Sequence, residues 1–196
     1  MIYLVRHGQT VFNREHRMQG RMESELTELG RRQAAAMADL LHDLIRRDPP
    51  KPWRIVSSPL GRATETARAI GERLSLPVEL DERLLEVDVG QWSGRLRTEI
   101  AVGDPASMAD PEWCFRSLGG ETYDDVMGRV SAWLAEQTGE DKKPLIAVSH
   151  GVAGRLLRGA YAGLPREAVM AQSIPQDAVF RLSNGQIDRF DCEPVD

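Results

Sequence analysis

The sequence predicts an α/β fold, a three-layer sandwich in which helices flank a mostly parallel central sheet. Three observations predict it. Short apolar, β-branched runs at 2–5, 53–57 and 145–148 have the length of buried strands. Segments with apolar residues at helical spacing separate these runs, as in a parallel sheet joined by helices. Near the C-terminus, Asn184-Gly185 joins two alternating segments, which predicts a hairpin that adds antiparallel edge strands.

The first strand, 2–5, delivers Arg6-His7-Gly8 to its carboxyl end, where open α/β sheets bind ligands. The polar stretch 9–25 predicts a long loop, and long loops in compact domains are often functional. Thr27 is expected to cap a helix that runs to about Arg47.

Prolines at positions 49, 50 and 52 are expected to stop that helix before the second strand, 53–57. Ser58-Pro59 then offers an N-cap hydroxyl and a proline at the first helical position. This start would put Arg62 in the first turn, beside free backbone amides and the positive end of the helix dipole. That arrangement predicts an anion site.

A short edge strand is predicted at 78–80, and the segment 84–94 mixes apolar residues with carboxylates. Glu86 lies between two apolar neighbours, and a buried carboxyl group holds its proton more tightly, as a proton donor must. The alternative is an alternating strand with Glu86 facing water. The stretch 95–120 has little periodicity and is interpreted as a lid-like excursion over the site.

The last third of the chain repeats the pattern of strand and helix. Thr122 opens a helix, and the strand 144–149 ends in His150-Gly151. Helices are predicted from about 152 to 161 and from about 165 to 172. The predicted hairpin pairs 177–183 with 186–190 across Asn184-Gly185.

Length, composition and charge limit the classes of function that the chain can have. The 196 residues suit one domain, 1–196, with 41% hydrophobic content that argues against disorder. The net charge of −5 argues against a nucleic-acid or anionic-membrane surface. Cys114 and Cys192 lack metal-site spacing and are expected to be free thiols in a reducing compartment. No targeting signal or membrane-length apolar run is seen, so the predicted location is cytoplasmic.

The carboxyl ends of parallel strands lie along one edge of a sheet, so Arg6-His7, 57–62 and His150 are expected to meet. Two arginines and two histidines in one pocket suit a multiply charged oxyanion, above all phosphate. Phosphoryl transfer needs a nucleophile, cations for the equatorial oxygens and an acid for the leaving group. One histidine can be the nucleophile, the arginines the clamp, and Glu86 the acid.

In these residues the chain resembles the histidine phosphatase superfamily, the group related to cofactor-dependent phosphoglycerate mutase. The resemblance covers nearly the whole chain and is specific because the motifs occur together and in order. The matching stretches are 4–10, Asn13, 19–20, 26–30 with 33–34, 57–63, Glu86 with Gly90 and Gly94, 119–121, and 149–151.

The resemblance implies that His7 attacks phosphorus and becomes a phosphohistidine. It implies that Glu86 protonates the leaving oxygen and then activates the attacking water. It implies no cofactor, and no metal is predicted, because the histidines have no ligand spacing. The residues implied to bind the phosphoryl group or substrate are Arg6, Asn13, Gly20, Arg62, His150 and Gly151.

Hydrolysis of a small phosphomonoester is favoured over mutase chemistry. The mutases follow the catalytic Glu with Arg and, two positions on, Tyr, whereas this chain has Val87 and Val89. Those apolar residues give that wall nothing with which to bind a second anion. Mutase-type transfer remains the alternative, and a non-catalytic phospho-ligand binding module is a third reading. A dinucleotide binder is set aside because the first strand lacks a GxGxxG turn.

Substrate identity is left open by the sequence, and so is the oligomeric state, a homodimer included. Specificity is expected to lie in the excursion and in the loop after Asn13. Trp113, Phe115 and Arg116 either contact the substrate or pack the lid.

Overall fold

The computed structural model describes residues 1–47, 52–139 and 142–195. Its centre is a six-stranded sheet with the order β3-β2-β4-β1-β5-β6. The pairs β1–β4, β2–β4 and β2–β3 are parallel, and β1–β5 and β5–β6 are antiparallel. The strands are β1 (Ile2–Arg6), β2 (Arg54–Ser57), β3 (Val78–Leu80), β4 (Leu145–Ser149), β5 (Ala178–Ser183) and β6 (Gln186–Asp191). The predicted mostly parallel sheet with an antiparallel hairpin at one edge is confirmed.

Helices connect and cover these strands. The α-helices are α1 (Val11–Arg14), α2 (Glu28–Arg47), α3 (Gly61–Leu74), α4 (Arg97–Gly103), α5 (Pro105–Ala109), α6 (Tyr123–Gln137), α7 (Gly151–Ala162) and α8 (Arg166–Ala171). Three 3₁₀ turns lie at Glu82–Leu84, Gly90–Trp92 and Trp113–Phe115. Among the described helices none is long and apolar enough to cross a membrane.

Alternate residues of β1 point to opposite faces of the sheet, and each face builds its own core. Tyr3 and Val5 pack with α2 and α3, whereas Ile2 and Leu4 pack with α6 and α7. Trp133 on α6 is fully buried. The two cores on the two faces make the predicted three-layer sandwich, which is confirmed.

Local signals in the sequence set several boundaries correctly. Thr27 Oγ1 accepts from the amide of Gly30 at 3.0 Å and so caps α2 as expected. Asn184 and Gly185 both have positive φ (51° and 74°), as a two-residue hairpin turn requires. The helix stop assigned to the prolines at positions 49 and 50 lies outside the described residues.

Four expectations about local structure are wrong. Ser58-Pro59 does not begin α3; the N-cap is Leu60, without a side-chain cap. The predicted loop 9–25 contains α1, whose start is fixed by Thr10 and Asn13 bonding each other's backbone. The alternative of a strand across 84–94 also fails, because 85–89 is irregular backbone. The excursion 95–120 contains α4 and α5, although its sequence has little periodicity.

Candidate active site

His7 lies at the carboxyl end of β1 and is only 2% exposed. Its backbone amide donates to Ser149 O at 3.1 Å, which continues the β1–β4 ladder. The ring Nδ1 lies 2.7 Å from Gly8 O. Because a carbonyl oxygen only accepts, Nδ1 carries the proton and Nε2 keeps a lone pair. This is the tautomer that a nucleophilic Nε2 requires.

The pKa of His7 is lowered well below its usual range. Burial is the main cause, and the nearby guanidinium groups of Arg62 and Arg6 lower it further. His7 is therefore neutral at pH 7. A neutral imidazole retains the lone pair with which it can attack phosphorus.

Arg62, in the first turn of α3, is 2% exposed and donates from all three of its nitrogens. Nε donates to His7 Nε2 at 3.2 Å, while the two terminal nitrogens donate to Met22 O at 3.0 Å and Gly20 O at 2.7 Å. Burial lowers the pKa of Arg62 to about 10, so it remains a cation at pH 7. Gly20, with a φ of +53°, thus lines the site and also orients the arginine through its carbonyl.

His150 follows β4 and lies against His7, with ring centroids 5.1 Å apart. Its Nε2 shares a 2.7 Å hydrogen bond with Ser58 Oγ. Its Nδ1 is buried and has no hydrogen-bond partner among the described residues. Burial, followed by the charge of Arg62, lowers the pKa of His150 well below its usual range. Ser58, predicted to cap a helix, instead holds this second imidazole.

Arg6 completes the cationic set at the end of β1. One terminal nitrogen donates to Ile174 O at 2.7 Å. Burial lowers its pKa, an effect that the nearby carboxylate of Glu86 opposes. Gly151 lies beside this side chain, and a Cβ there would be in ordinary contact with Arg6 Cζ at 3.5 Å.

Asn13 reaches the site from α1 and is held by two donors. Its Oδ1 accepts from the amide of Thr10 at 3.2 Å and from Gln176 Nε2 at 3.0 Å. The side-chain NH₂ of Asn13 is therefore left to donate. Gln176 also donates to His7 O at 3.2 Å and supports the site from a loop, and no motif in the sequence points to it.

Glu86 meets the N-terminus of α7. Its Oε1 accepts from the amides of Val87 at 2.9 Å and Ala153 at 3.0 Å, and its Oε2 accepts from Val152 at 3.2 Å. The first-turn amides of a helix lack partners within the helix, so a carboxylate there is held firmly. Asp88, the next carboxylate along the chain, accepts from the amide of Gly90 at 2.9 Å.

A cavity of about 270 Å³ lies over these groups. Six of the predicted site residues line it: Arg6, His7, Asn13, Gly20, Arg62 and Glu86. His150 and Gly151 lie beneath it and line a smaller cavity of about 20 Å³ that Arg6 also borders. The structure thus brings the whole predicted set together, six at the surface of the cavity and two behind it.

Trp113 lines the cavity and also packs the excursion, because it stacks on Trp92 at 6.5 Å. Phe115 and Arg116 do not line it. Phe115 packs edge-on against Tyr123, and Arg116 pairs with Asp110.

Three further cations line the cavity, and sequence reasoning missed all of them. Arg17 is tied to Glu15 and to Gly94 O. Arg97 lies 4.6 Å over the ring of Trp113, and Arg155 is half-buried on α7. The guanidinium groups of Arg97 and Arg155 have no hydrogen bond or ion pair among the described residues. For Arg155 a signal existed, since it lies one turn after Gly151 on the same helical face.

Other chemistry has little support in the described residues. Nowhere among them do three His, Cys, Asp or Glu side chains come together as a metal site would require. Burial raises the pKa of Cys114, which lines the cavity, to about 12, so this thiol stays protonated at neutral pH.

The fold and this site define a class of phosphoryl-transfer enzymes. The family model described as histidine phosphatase superfamily (branch 1) matches residues 2–186, and the chain belongs to this family.

The relatives whose sequences match this chain include proteins of two names. A glucosyl-3-phosphoglycerate phosphatase from Mycolicibacterium vanbaalenii is 37% identical over 177 residues, which cover 84% of this chain and 75% of the relative. A probable phosphoglycerate mutase GpmB from Salmonella paratyphi A is 34% identical over 197 residues, 98% of this chain and 85% of the relative. The solved structure of a mycobacterial glucosyl-3-phosphoglycerate phosphatase in complex with VO3 superposes with a TM-score of 0.83 at 33% identity, covering 98% of both chains.

Proposed function

We propose that this protein hydrolyses small phosphomonoesters through a phosphohistidine at His7. One observation carries the proposal: a buried, neutral imidazole whose Nδ1–H is held by Gly8 O presents Nε2 beside the buried Arg62 and the half-buried Arg6. That is the arrangement of an activated nitrogen nucleophile with its charge clamp.

In the first half-reaction, the phosphoryl group of the substrate lies between Arg6, Arg62 and the side-chain NH₂ of Asn13. In the tautomer in which Ser58 donates to His150 Nε2, His150 Nδ1–H adds a further donor. His7 Nε2 forms the bond to phosphorus as the ester P–O bond breaks. Glu86 gives its proton to the departing alkoxide.

In the second half-reaction, Glu86 is a carboxylate and takes a proton from water. The water oxygen bonds to phosphorus as the P–N bond breaks, which releases inorganic phosphate and restores neutral His7 and protonated Glu86. Cations already surround the phosphoryl group, so the residues described do not require a metal ion.

The substrate is proposed to carry a second anionic group. Arg97 and Arg155 line the cavity with guanidinium groups that make no hydrogen bond or ion pair among the described residues, and a carboxylate would supply one. The relatives named glucosyl-3-phosphoglycerate phosphatase are named for a substrate with both a phosphate and a carboxylate. A sugar-linked phosphoglycerate is therefore the proposed substrate class. The two free thiols suit a reducing, cytoplasmic setting.

Phosphoglycerate mutase activity is the second candidate. The 34% identical relatives of that name favour it, and the unpaired arginines could also hold the acid group of a phosphoglycerate. Val87 and Val89 favour hydrolysis, because an apolar wall offers no second phosphate site beside Glu86.

The test compares phosphate release from four esters: glucosyl-3-phosphoglycerate, 3-phosphoglycerate, glycerol 3-phosphate and p-nitrophenyl phosphate. We expect the two acids to have the higher kcat/KM, and Arg155→Met to reduce that advantage by roughly tenfold, as loss of a charged hydrogen bond would. An unchanged advantage would remove Arg155 from substrate binding. Rapid conversion of 3-phosphoglycerate to 2-phosphoglycerate without phosphate release would establish the mutase instead.

A further inference from the structure

The segment that carries Glu86 has no secondary structure of its own to hold it. Residues 85–89 are irregular, and they belong to no strand of the sheet. Yet general acid catalysis requires a carboxyl group placed to within a fraction of an ångström. The backbone of this segment must therefore be fixed by something outside it.

Side chains from neighbouring elements bind the carbonyls of this segment. Arg129 on α6 donates to Arg83 O at 2.8 Å, to Leu85 O at 2.7 Å and to Glu86 O at 3.2 Å. Ser149 Oγ donates to the carbonyl between them, Leu84 O, at 2.9 Å. Four consecutive carbonyls, 83 to 86, are thus held by two side chains, and three of them by one guanidinium.

Arg129 is itself held by Glu121. Its Nε donates to Glu121 Oε1 at 3.0 Å, and a terminal nitrogen donates to Oε2 at 3.1 Å, in a bidentate pair. The two side chains are 15% and 18% exposed. Burial alone would raise the pKa of Glu121, but the hydrogen bonds from Arg129 and from the amide of Asp88 lower it overall, so the carboxylate stays charged.

Glu121 also fixes the other end of the segment. Its Oε2 accepts from the amide of Asp88 at 3.0 Å, and its own amide donates to Asp88 O at 2.9 Å. The pair therefore grips the backbone on both sides of Glu86. The carboxylate of Glu86 is meanwhile fixed by the amides of Val152 and Ala153, so its backbone and its head group are anchored to different helices.

We infer that Arg129, locked by Glu121, is a positioning residue for the general acid Glu86. The inference rests on the catalytic role proposed for Glu86. Arg129 does not line the cavity and makes no hydrogen bond to the phosphoryl-binding residues among the described residues, so its hydrogen bonds reach the site through the segment it holds. Lysine cannot replace it, because a single ammonium cannot hold three carbonyls and a bidentate carboxylate together.

The test measures the first half-reaction, phosphorylation of His7, in single turnovers with an alkyl ester (3-phosphoglycerate) and an aryl ester (p-nitrophenyl phosphate). An alkoxide needs the proton from Glu86, whereas a nitrophenolate leaves without it. General acids contribute roughly 10²- to 10⁴-fold. We expect Arg129→Met to lose about 10²-fold with the alkyl ester and less than about fivefold with the aryl ester, with Arg129→Lys in between. Arg181→Met, which breaks an ion pair on β5, is the control and should change neither rate.

A double variant separates positioning from general damage. With the alkyl ester, Glu86→Gln combined with Arg129→Met should be as slow as Glu86→Gln alone, because Arg129 then has no general acid to position. Additive losses, or equal losses on both esters in Arg129→Met, would overturn the inference. Should Arg129→Met fail to fold, Glu121→Gln answers the same question, with a loss of about tenfold expected for the alkyl ester alone.

The same data distinguish failure of the positioning role of Arg129 from failure of the proposed function. Equal losses on both esters in Glu86→Gln would overturn the catalytic role of Glu86, and the positioning role of Arg129 with it. A larger loss on the alkyl ester than on the aryl ester in Glu86→Gln, without the same difference in Arg129→Met, would overturn only the positioning role of Arg129.

Discussion

Acidification should destabilise the fold of this protein in a pH window set by its two active-site histidines. His7 and His150 are each 2% exposed, and burial lowers the pKa of both well below 6.5. In the unfolded chain each takes up a proton near pH 6.5. A depressed pKa in the folded state contributes stability above pH 6.5, and this stability is lost as the pH falls toward the folded value.

The magnitude follows from proton linkage. Each group whose proton is excluded by folding costs about 1.4 kcal/mol per pH unit below its unfolded pKa. For two buried neutral histidines, the free energy of unfolding should fall by about 2.7 kcal/mol between pH 7.5 and 5.5. This is a large share of the roughly 5–15 kcal/mol that stabilises most domains.

Urea titrations followed by circular dichroism at half-unit steps of pH would measure the effect. His7→Asn and His150→Asn should each remove about half of the slope, and the double variant should be nearly flat down to pH 5.5. A wild-type stability that stays constant over this window would mean that the folded protein holds charged imidazoles. In that case His7 could not serve as a neutral nucleophile.

Other predictions test the supports of the site. A Cβ on Gly8 would lie 2.1 Å from Gly30 O, so Gly8→Ala should destabilise the fold by about 3 kcal/mol or more in the urea assay. The control is Gly128→Ala on α6, where a Cβ would meet no atom within 4 Å, and it should be neutral or stabilising. Ser58→Ala leaves Nε2 of His150 without a partner and should weaken competitive inhibition by inorganic phosphate by roughly 5- to 100-fold, while an unchanged inhibition constant would show that Ser58 does not orient the imidazole. Activity should survive dialysis against a chelator, and its loss with recovery on adding Mg²⁺ or Zn²⁺ would contradict the absence of a metal requirement.

The main residues of the site could be predicted because they follow strands. An apolar run identifies a buried strand, and parallel strands bring their carboxyl ends to one edge. Arg6 and His7 follow β1, Arg62 opens the helix after β2, and His150 follows β4. Their meeting therefore follows from topology alone.

The contacts of residues on irregular backbone or on helix faces could not be predicted, even where the residue itself could be named. Glu86 lies in a segment with no periodicity, so its bonds to the amides of α7 depend on tertiary packing. Ser58 was assigned to a cap because a hydroxyl before a helix suits that role, yet its nearest polar neighbour is a histidine 92 residues away. Arg155 carries only a weak signal, its place one turn after Gly151. Gln176 is an ordinary polar residue of a loop, and only the folded chain brings it to the site.

The central claim is that His7 Nε2 becomes phosphorylated, and trapping that intermediate tests it most directly. The enzyme would be mixed with ³²P-labelled 3-phosphoglycerate or p-nitrophenyl phosphate, denatured in alkali within milliseconds, digested and mapped. The proposed mechanism predicts acid-labile, alkali-stable label on the peptide that contains His7. With p-nitrophenyl phosphate the label should approach one equivalent in Glu86→Gln, and it should be absent in His7→Asn. Acid-stable label, or label on any other residue, would contradict it.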